Sequence, residues 1–196
     1  MQLLAIVISI LYILCFRNIS IGLVATLLKD KSAKRSGLLT LNPLKSMNIV
    51  GLIFMFTSGF GWNKPINVYP HAYNKKWKES LVYLSGFAFH IISIIVFALL
   101  LKISTENLHI ILNQLVVLNA GFIVFNLFPI AETDFFRLLK CYLPKSKTVK
   151  YLSAQGATIL GMIVLISVVL SRVIGTEYQI FTVIDIVRDS IIKTIL

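Results

Sequence analysis

Ile49-Val50-Gly51-Leu52-Ile53-Phe54-Met55-Phe56-Thr57-Ser58-Gly59-Phe60 is the stretch on which the fold turns. It is apolar enough to enter a bilayer, but a helix needs roughly 20 such residues to cross a hydrocarbon core of about 30 Å. This run is shorter, and Gly51, Gly59 and Gly61 interrupt it. If it crossed, the basic segments on its two sides would face opposite compartments. If it dips in and returns, they share one. Lys29, Lys31, Lys34, Arg35 and Lys45 against Asp30 leave +4 over 29–47, and Lys64, Lys75, Lys76 and Lys78 against Glu79 leave +3 over 61–80. Over 129–152, Arg137, Lys140, Lys145, Lys147 and Lys150 against Glu132 and Asp134 leave +3, whereas 102–108 and 171–196 are neutral. Basic loops collect on the cytoplasmic side of a membrane. The re-entrant arrangement gathers all three there and places the N-terminus outside. Irregular backbone at membrane depth must be covered by protein, so the run is expected to pack against the spans.

The rest of the chain agrees with a bilayer setting. Of 196 residues, 57% are hydrophobic and only 14% charged, with a mean hydropathy of +0.86. Disorder requires low hydrophobicity and is excluded; so few charges also argue against a soluble globule. The net charge of +11 would suggest nucleic acid in a soluble protein, but its confinement to three loops reads as topology instead. Four apolar segments, 2–28, 81–101, 109–128 and 153–174, are expected to span. The first lacks the basic start of a cleaved signal and reads as a retained span. Within 36–75, Leu38-Leu39-Thr40-Leu41 before Asn42-Pro43, and Ile66-Asn67-Val68-Tyr69 after Lys64-Pro65, read as short strands. Over 177–196, apolar residues at 180, 184, 187, 191 and 195 oppose Asp185, Arg188, Asp189 and Lys193. That pattern fits a helix lying in the interface, and equally a fifth, partly buried bundle helix. Cys15 and Cys141 show no metal-type spacing and read as packed thiols.

Several strings, taken in order, resemble one family. Ser32-Ala33-Lys34-Arg35-Ser36-Gly37-Leu38-Leu39-Thr40-Leu41-Asn42-Pro43-Leu44-Lys45 is similar to the "AKR-x-G-x-LTLNPLKH" stretch of the bacterial site-2 proteases, which are intramembrane zinc metalloproteases. Phe60-Gly61-Trp62-Asn63-Lys64-Pro65-Ile66-Asn67-Val68 resembles their "FGWAKPVPV" loop. Leu84-Ser85-Gly86-Phe87-Ala88-Phe89-His90 sits where they have "LAGPxxN", and Asn126-Leu127-Phe128-Pro129-Ile130-Ala131-Glu132-Thr133-Asp134 looks like "NLLPIPPLD", with Arg137 following. The resemblance covers nearly the whole chain. It implies an all-α polytopic core over 1–176, holding about four spans and a strand-rich re-entrant insert at 36–75, then the helix at 177–196. It also implies Zn²⁺ held by two His and one Asp, with a Glu activating a metal-bound water.

At the metal motif the chain departs from this family. Two His at i and i+4 place both imidazoles on one helix face, and the family interval puts HExxH at 17–21. Here those positions read Arg17-Asn18-Ile19-Ser20-Ile21, and the histidines of the chain are His71, His90 and His109. Arg17, Asn18 and Ile21 thus stand where the ligands and base would be. A guanidinium stays protonated and ligates no metal. An ionised residue in mid-span needs a partner, and Asp134, the retained ligand-type residue, is the candidate. The alternative has Arg17 snorkelling to the interface while Asp134 caps a helix. Phe135 and Phe136 replace the family's two glycines, Phe87 its proline and His90 its asparagine, and these rings are expected to fill space that a cleaved strand would need. Phe122, Phe125 and Phe128 fall at helical spacing and read as core or lipid-facing.

These observations lead to an expected pseudoprotease that binds a transmembrane segment or a partner membrane subunit, with no cofactor and no nucleic acid. Trp62, Lys64, Pro65 and Asn126 are its expected partner-binding residues, and a bacterial cytoplasmic membrane is its expected location. Two other readings stand beside it. One is an active intramembrane endopeptidase with a Zn²⁺ site rewired through His90, Asp134 and His71. The other is an accessory subunit of a membrane complex.

Overall fold

The computed structural model describes residues 1–35, 37, 39–58, 61–64, 68–69, 73–130, 133–156, 158–159, 162, 186, 190 and 193. Its helices in chain order are α1 (Gln2–Leu27), α2 (Ser32–Arg35), α3 (Pro43–Ser46), α4 (Ile49–Ser58), α5 (Lys76–Leu101), α6 (Glu106–Asn126) and α7 (Asp134–Tyr142). Residues 147–156 are helical as well.

Three of these helices, α1, α5 and α6, are long and apolar enough to cross a membrane. Side-chain contacts set their directions. Ile10, Ile13 and Leu14 of α1 share a core with Leu118 and Phe122 of α6, while Gln2 and His109 line one cleft at the other end, so α1 and α6 run parallel. Ile21 packs with Val82, and the Tyr12 and Ser93 hydroxyls meet at 2.8 Å, so α5 runs antiparallel to α1. In lipid, apolar burial does little to join helices; close packing and inter-helix hydrogen bonds do so instead. Leu3, Leu11, Leu23, Ile92, Ile95 and Leu99 accordingly remain on the outside, where acyl chains would meet them.

The first helix ends in a Schellman motif. The Lys29 N–H donates to Thr26 O at 3.0 Å and the Asp30 N–H to Ala25 O at 2.9 Å, with Lys29 at φ 73. The reversed chain then carries Asp30 inward, where only 2% of it is exposed. Its carboxylate accepts from the Ser32 N–H (2.8 Å), the Tyr69 N–H (3.0 Å) and the Tyr73 hydroxyl (2.7 Å). Burial pushes the Asp30 carboxyl upward, but these hydrogen bonds outweigh it and hold the group below its ordinary value of 3.8. A depressed folded-state value adds stability that is present above the ordinary value and lost as pH falls through the lower one. Acid unfolding of the wild type should therefore show a component that Asp30→Asn removes. Superimposable acid transitions for the two proteins would refute the anchor.

The apolar run that starts at Ile49 forms α4, ten residues and about 15 Å long. Asn48 Oδ1 accepts from the Gly51 N–H at 3.0 Å and starts this helix. The chain then comes back: the Lys64 N–H donates to Ser46 O at 2.8 Å, so residues 46 and 64 lie side by side. Met55 of α4 packs into the core of α1 and α6. An added Cβ on Gly51 would lie 2.1 Å from Trp62 O, and one on Gly61 would lie 2.3 Å from Gly51 O. Both glycines are needed for the two limbs to touch backbone to backbone.

The expected strands are corrected for the described residues, which form no strand between 36 and 75. Residues 39–41 bend instead, because Asn42 Oδ1 captures the Leu44 N–H at 3.0 Å and Pro43 opens α3. Val68 and Tyr69 run outside any ladder, and Tyr69 gives its N–H to Asp30. Leu38, Ile66 and Asn67 lie outside the described residues, as do most of the expected fourth span at 153–174 and most of 177–196.

Candidate functional site

Three elements converge on one charged centre. Arg17, in the second half of α1, donates from Nη2 to Asp134 Oδ2 at the first residue of α7, and the two are 5% and 3% exposed. Arg17 Nη1 also lies 3.4 Å from Asn18 Oδ1. Gly86 of α5 forms the third wall: a Cβ there would sit 2.7 Å from Asp134 Oδ2 and 3.5 Å from Arg17 Nη2. The pair thus rests directly against the α5 backbone.

Local sequence explains how Asp134 reaches this position. Thr133 caps α7 by accepting the Phe136 N–H at 3.3 Å, and its hydroxyl donates back toward Phe128 O (2.7 Å) and Ile130 O (2.8 Å). Asn126, at the end of α6, accepts the Asp134 N–H on Oδ1 at 3.3 Å and donates to Phe122 O at 2.9 Å. Asp134 in the first turn of α7 also complements the helix dipole. Asn126 therefore serves as an internal brace for the acid, rather than a surface group open to a partner.

The returning loop packs beside the centre. Trp62 is buried and stacks on Phe125 at 5.2 Å between ring centroids, with an 11° interplanar angle. Asn63 Nδ2 donates to Ile13 O at 3.3 Å, and Asn18 Nδ2 to Lys64 O at 3.4 Å. Trp62 is thus a structural wedge, while the Lys64 side chain is exposed. Pro65, His71 and Glu132 lie outside the described residues. Phe136 is buried while Phe135 and Phe87 are half-buried; Phe122 and Phe125 are core, and Phe128 reaches the surface.

His90 is 1% exposed on α5 and packs between Phe89 and Phe122. Its Nδ1 meets Asn119 Oδ1 at 2.7 Å, and Asn119 Nδ2 donates to Leu115 O at 2.7 Å. With the carbonyl oxygen turned to the ring, Nδ1 carries the proton and Nε2 presents its lone pair. Sequence reading picked out His90 but not Asn119, Asn63, Tyr12 or Ser93. For Asn119, Tyr12 and Ser93 the available signal was a polar residue inside an apolar helix; Asn63 lies in the loop of residues 61–64.

Among the described residues, none are arranged to hold Zn²⁺. The Asp134 carboxylate is engaged by a cation, and no three His, Cys, Asp or Glu groups cluster for a metal among the described residues. The Cys141 thiol lies against the start of α5. Its Sγ lies 3.3 Å from Glu79 Oε2, and burial followed by this hydrogen bond pushes the thiol up to about 11.

Three apolar helices closed around a buried ion pair, with a returning segment packed beside them, define a helical membrane protein with a charged centre in its core. No family model and no solved structure matches the chain. The chain is 28% identical over 176 residues to "Putative zinc metalloprotease YwhC" of Bacillus subtilis (strain 168), an alignment covering 84% of this chain and 78% of that protein. The chain is thus distantly similar to a putative zinc metalloprotease.

Proposed function

We propose that this chain is a site-2-protease-like membrane protein that does not cut peptide bonds and instead holds a transmembrane segment of a partner. One observation carries the reading: a guanidinium rests on Asp134, the carboxylate that the resemblance assigns to the metal. It neutralises that carboxylate and would repel a dication, and neither histidine nor general base remains at 17–21. The parts kept are those that shape a binding site. They are the Leu39-Thr40-Leu41-Asn42-Pro43 turn, the Gly61-Trp62 wedge and the exposed Lys64 beside it. The basic loops face the cytoplasm in this reading and the N-terminus lies outside.

Metal analysis and capture test the proposal together. Protein purified in zinc-containing buffer should hold well under one equivalent, and a photo-crosslinker at position 64 should trap a membrane-spanning segment. About one equivalent of zinc, lost on His90→Ala, would overturn it. That result belongs to the second reading, a zinc endopeptidase. The name of the Bacillus relative and the free Nε2 of His90 support that alternative.

A further inference from the structure

At the end of the bundle, α7 and the helical residues 147–156 enclose a cleft of about 340 Å³ lined by Lys140, Pro144, Val149, Lys150, Ser153 and Ala154. Its chemistry is divided. Val149 is buried, and the exposed Pro144 and Ala154 add apolar surface beside it, while Lys140 and Lys150 are exposed at the rim. Neither ammonium takes part in an ion pair among the described residues. The surrounding stretch 135–152 carries Arg137, Lys140, Lys145, Lys147 and Lys150 without one acidic residue, and Asp134 just before it is consumed by Arg17. The stretch around the rim is therefore strongly basic.

The surroundings set its depth. Ser80 Oγ donates to the Tyr142 hydroxyl at 3.0 Å, and Lys76 Nζ stands 5.9 Å from the Tyr142 ring, which ties α7 to the start of the apolar helix α5. Trp77 is 50% exposed, Tyr142 52% and Tyr151 63%, and Leu143 stands open beside them. Exposed aromatic rings at the end of an apolar helix mark headgroup level. Basic pockets between helices at that level take lipid phosphates.

We propose that this cleft binds an anionic phospholipid, with Lys140 and Lys150 on the phosphate, Ser153 supplying a hydroxyl, and the apolar surface of Pro144, Val149 and Ala154 against the glycerol and upper acyl chain. That apolar surface favours a lipid over a free anion, which would gain nothing from it. The inference does not depend on whether the chain cuts, and its experiment reads neither zinc nor proteolysis.

The full-length protein is placed in nanodiscs of phosphatidylcholine alone or with phosphatidylglycerol, then extracted and weighed intact to count retained lipid. Saturable retention of phosphatidylglycerol over phosphatidylcholine is expected. At roughly fivefold per lysine, K140Q/K150Q should bind about twenty-fivefold more weakly. The matched K31Q/K34Q, which removes the same charge elsewhere, should stay within about twofold. Unchanged melting of K140Q/K150Q in pure phosphatidylcholine shows that the fold is kept. Equal loss in both double variants, or no preference between the lipids, overturns the proposal. Displacement by inorganic phosphate alone at the lipid's own concentration also overturns it, because the cleft would then be a free-anion site.

Discussion

Arg17→Ala is expected to lower the unfolding free energy by about 3–5 kcal/mol, the usual result of stripping one partner from a buried ion pair. The loss stems from what stays behind. Asp134 is 3% exposed, with Gly86 backbone on one side, and its charge would have neither water nor a cation to meet. Asp134→Ala should be similarly damaging, since an unpaired guanidinium remains in an apolar helix. Removing both with R17L/D134L should recover most of the loss, because buried pairs replaced by apolar groups are often neutral or better. Thermal unfolding in one detergent, across wild type and the single and double variants, gives the coupling. Strictly additive losses would mean that the two residues act separately and that the charged centre does not hold α1 to α7.

Gly51→Ala is the second large effect, at about 3 kcal/mol or more. Over-packing a tight core typically costs about 1–3 kcal/mol, and here the added carbon would come within 2.1 Å of a backbone carbonyl, Trp62 O, which cannot rotate aside. The two limbs of the returning segment must part, and Trp62 must slide off Phe125. In a W77F background, Trp62 emission should shift to the red as the ring meets water or headgroups. Wild-type stability together with an unshifted spectrum would show that the limbs are not in backbone contact.

Much of this arrangement was legible from patterns in the chain. Apolar length marks α1, α5 and α6 directly, because the bilayer admits few alternatives to a helix of about 20 residues. A return after this apolar run was expected from gathering three basic loops on one side; the structure brings residues 46 and 64 together through the Lys64–Ser46 hydrogen bond, which says nothing of sides. The strands expected within 36–75 are where local reading failed. Thr40, Leu41 and Val68 have strand propensity, but that propensity expresses packing on a neighbouring strand. The described segment offers caps in place of neighbours: Asn42 starts α3, Asn48 starts α4, and Asp30 takes the Tyr69 N–H.

Asp30 shows a second limit. In the sequence it is one acid among five basic residues over 29–47, a correction to a charge count. Its role as an anchor appears only when Tyr69 and Tyr73, about forty positions on, return to the end of α1. Asn119 is similar: its polarity within α6 was visible, but its partner His90 lies 29 residues away on α5.

The amino-acid order by itself determined the apolar setting of this protein, its long helices, the distant resemblance carried by "LTLNPLK" and "FGW-x-KP", and the absence of an HExxH motif at 17–21. Those are properties of composition and short-range spacing, which a chain possesses before it folds. Only the tertiary structure decided that Arg17 lies on Asp134, that Gly86 and Gly51 are small because a carboxylate and a carbonyl occupy the space beside them, and that Lys140 and Lys150 rim one cleft. Such facts depend on distances between residues remote in sequence, and those distances are set by how apolar helices pack against one another.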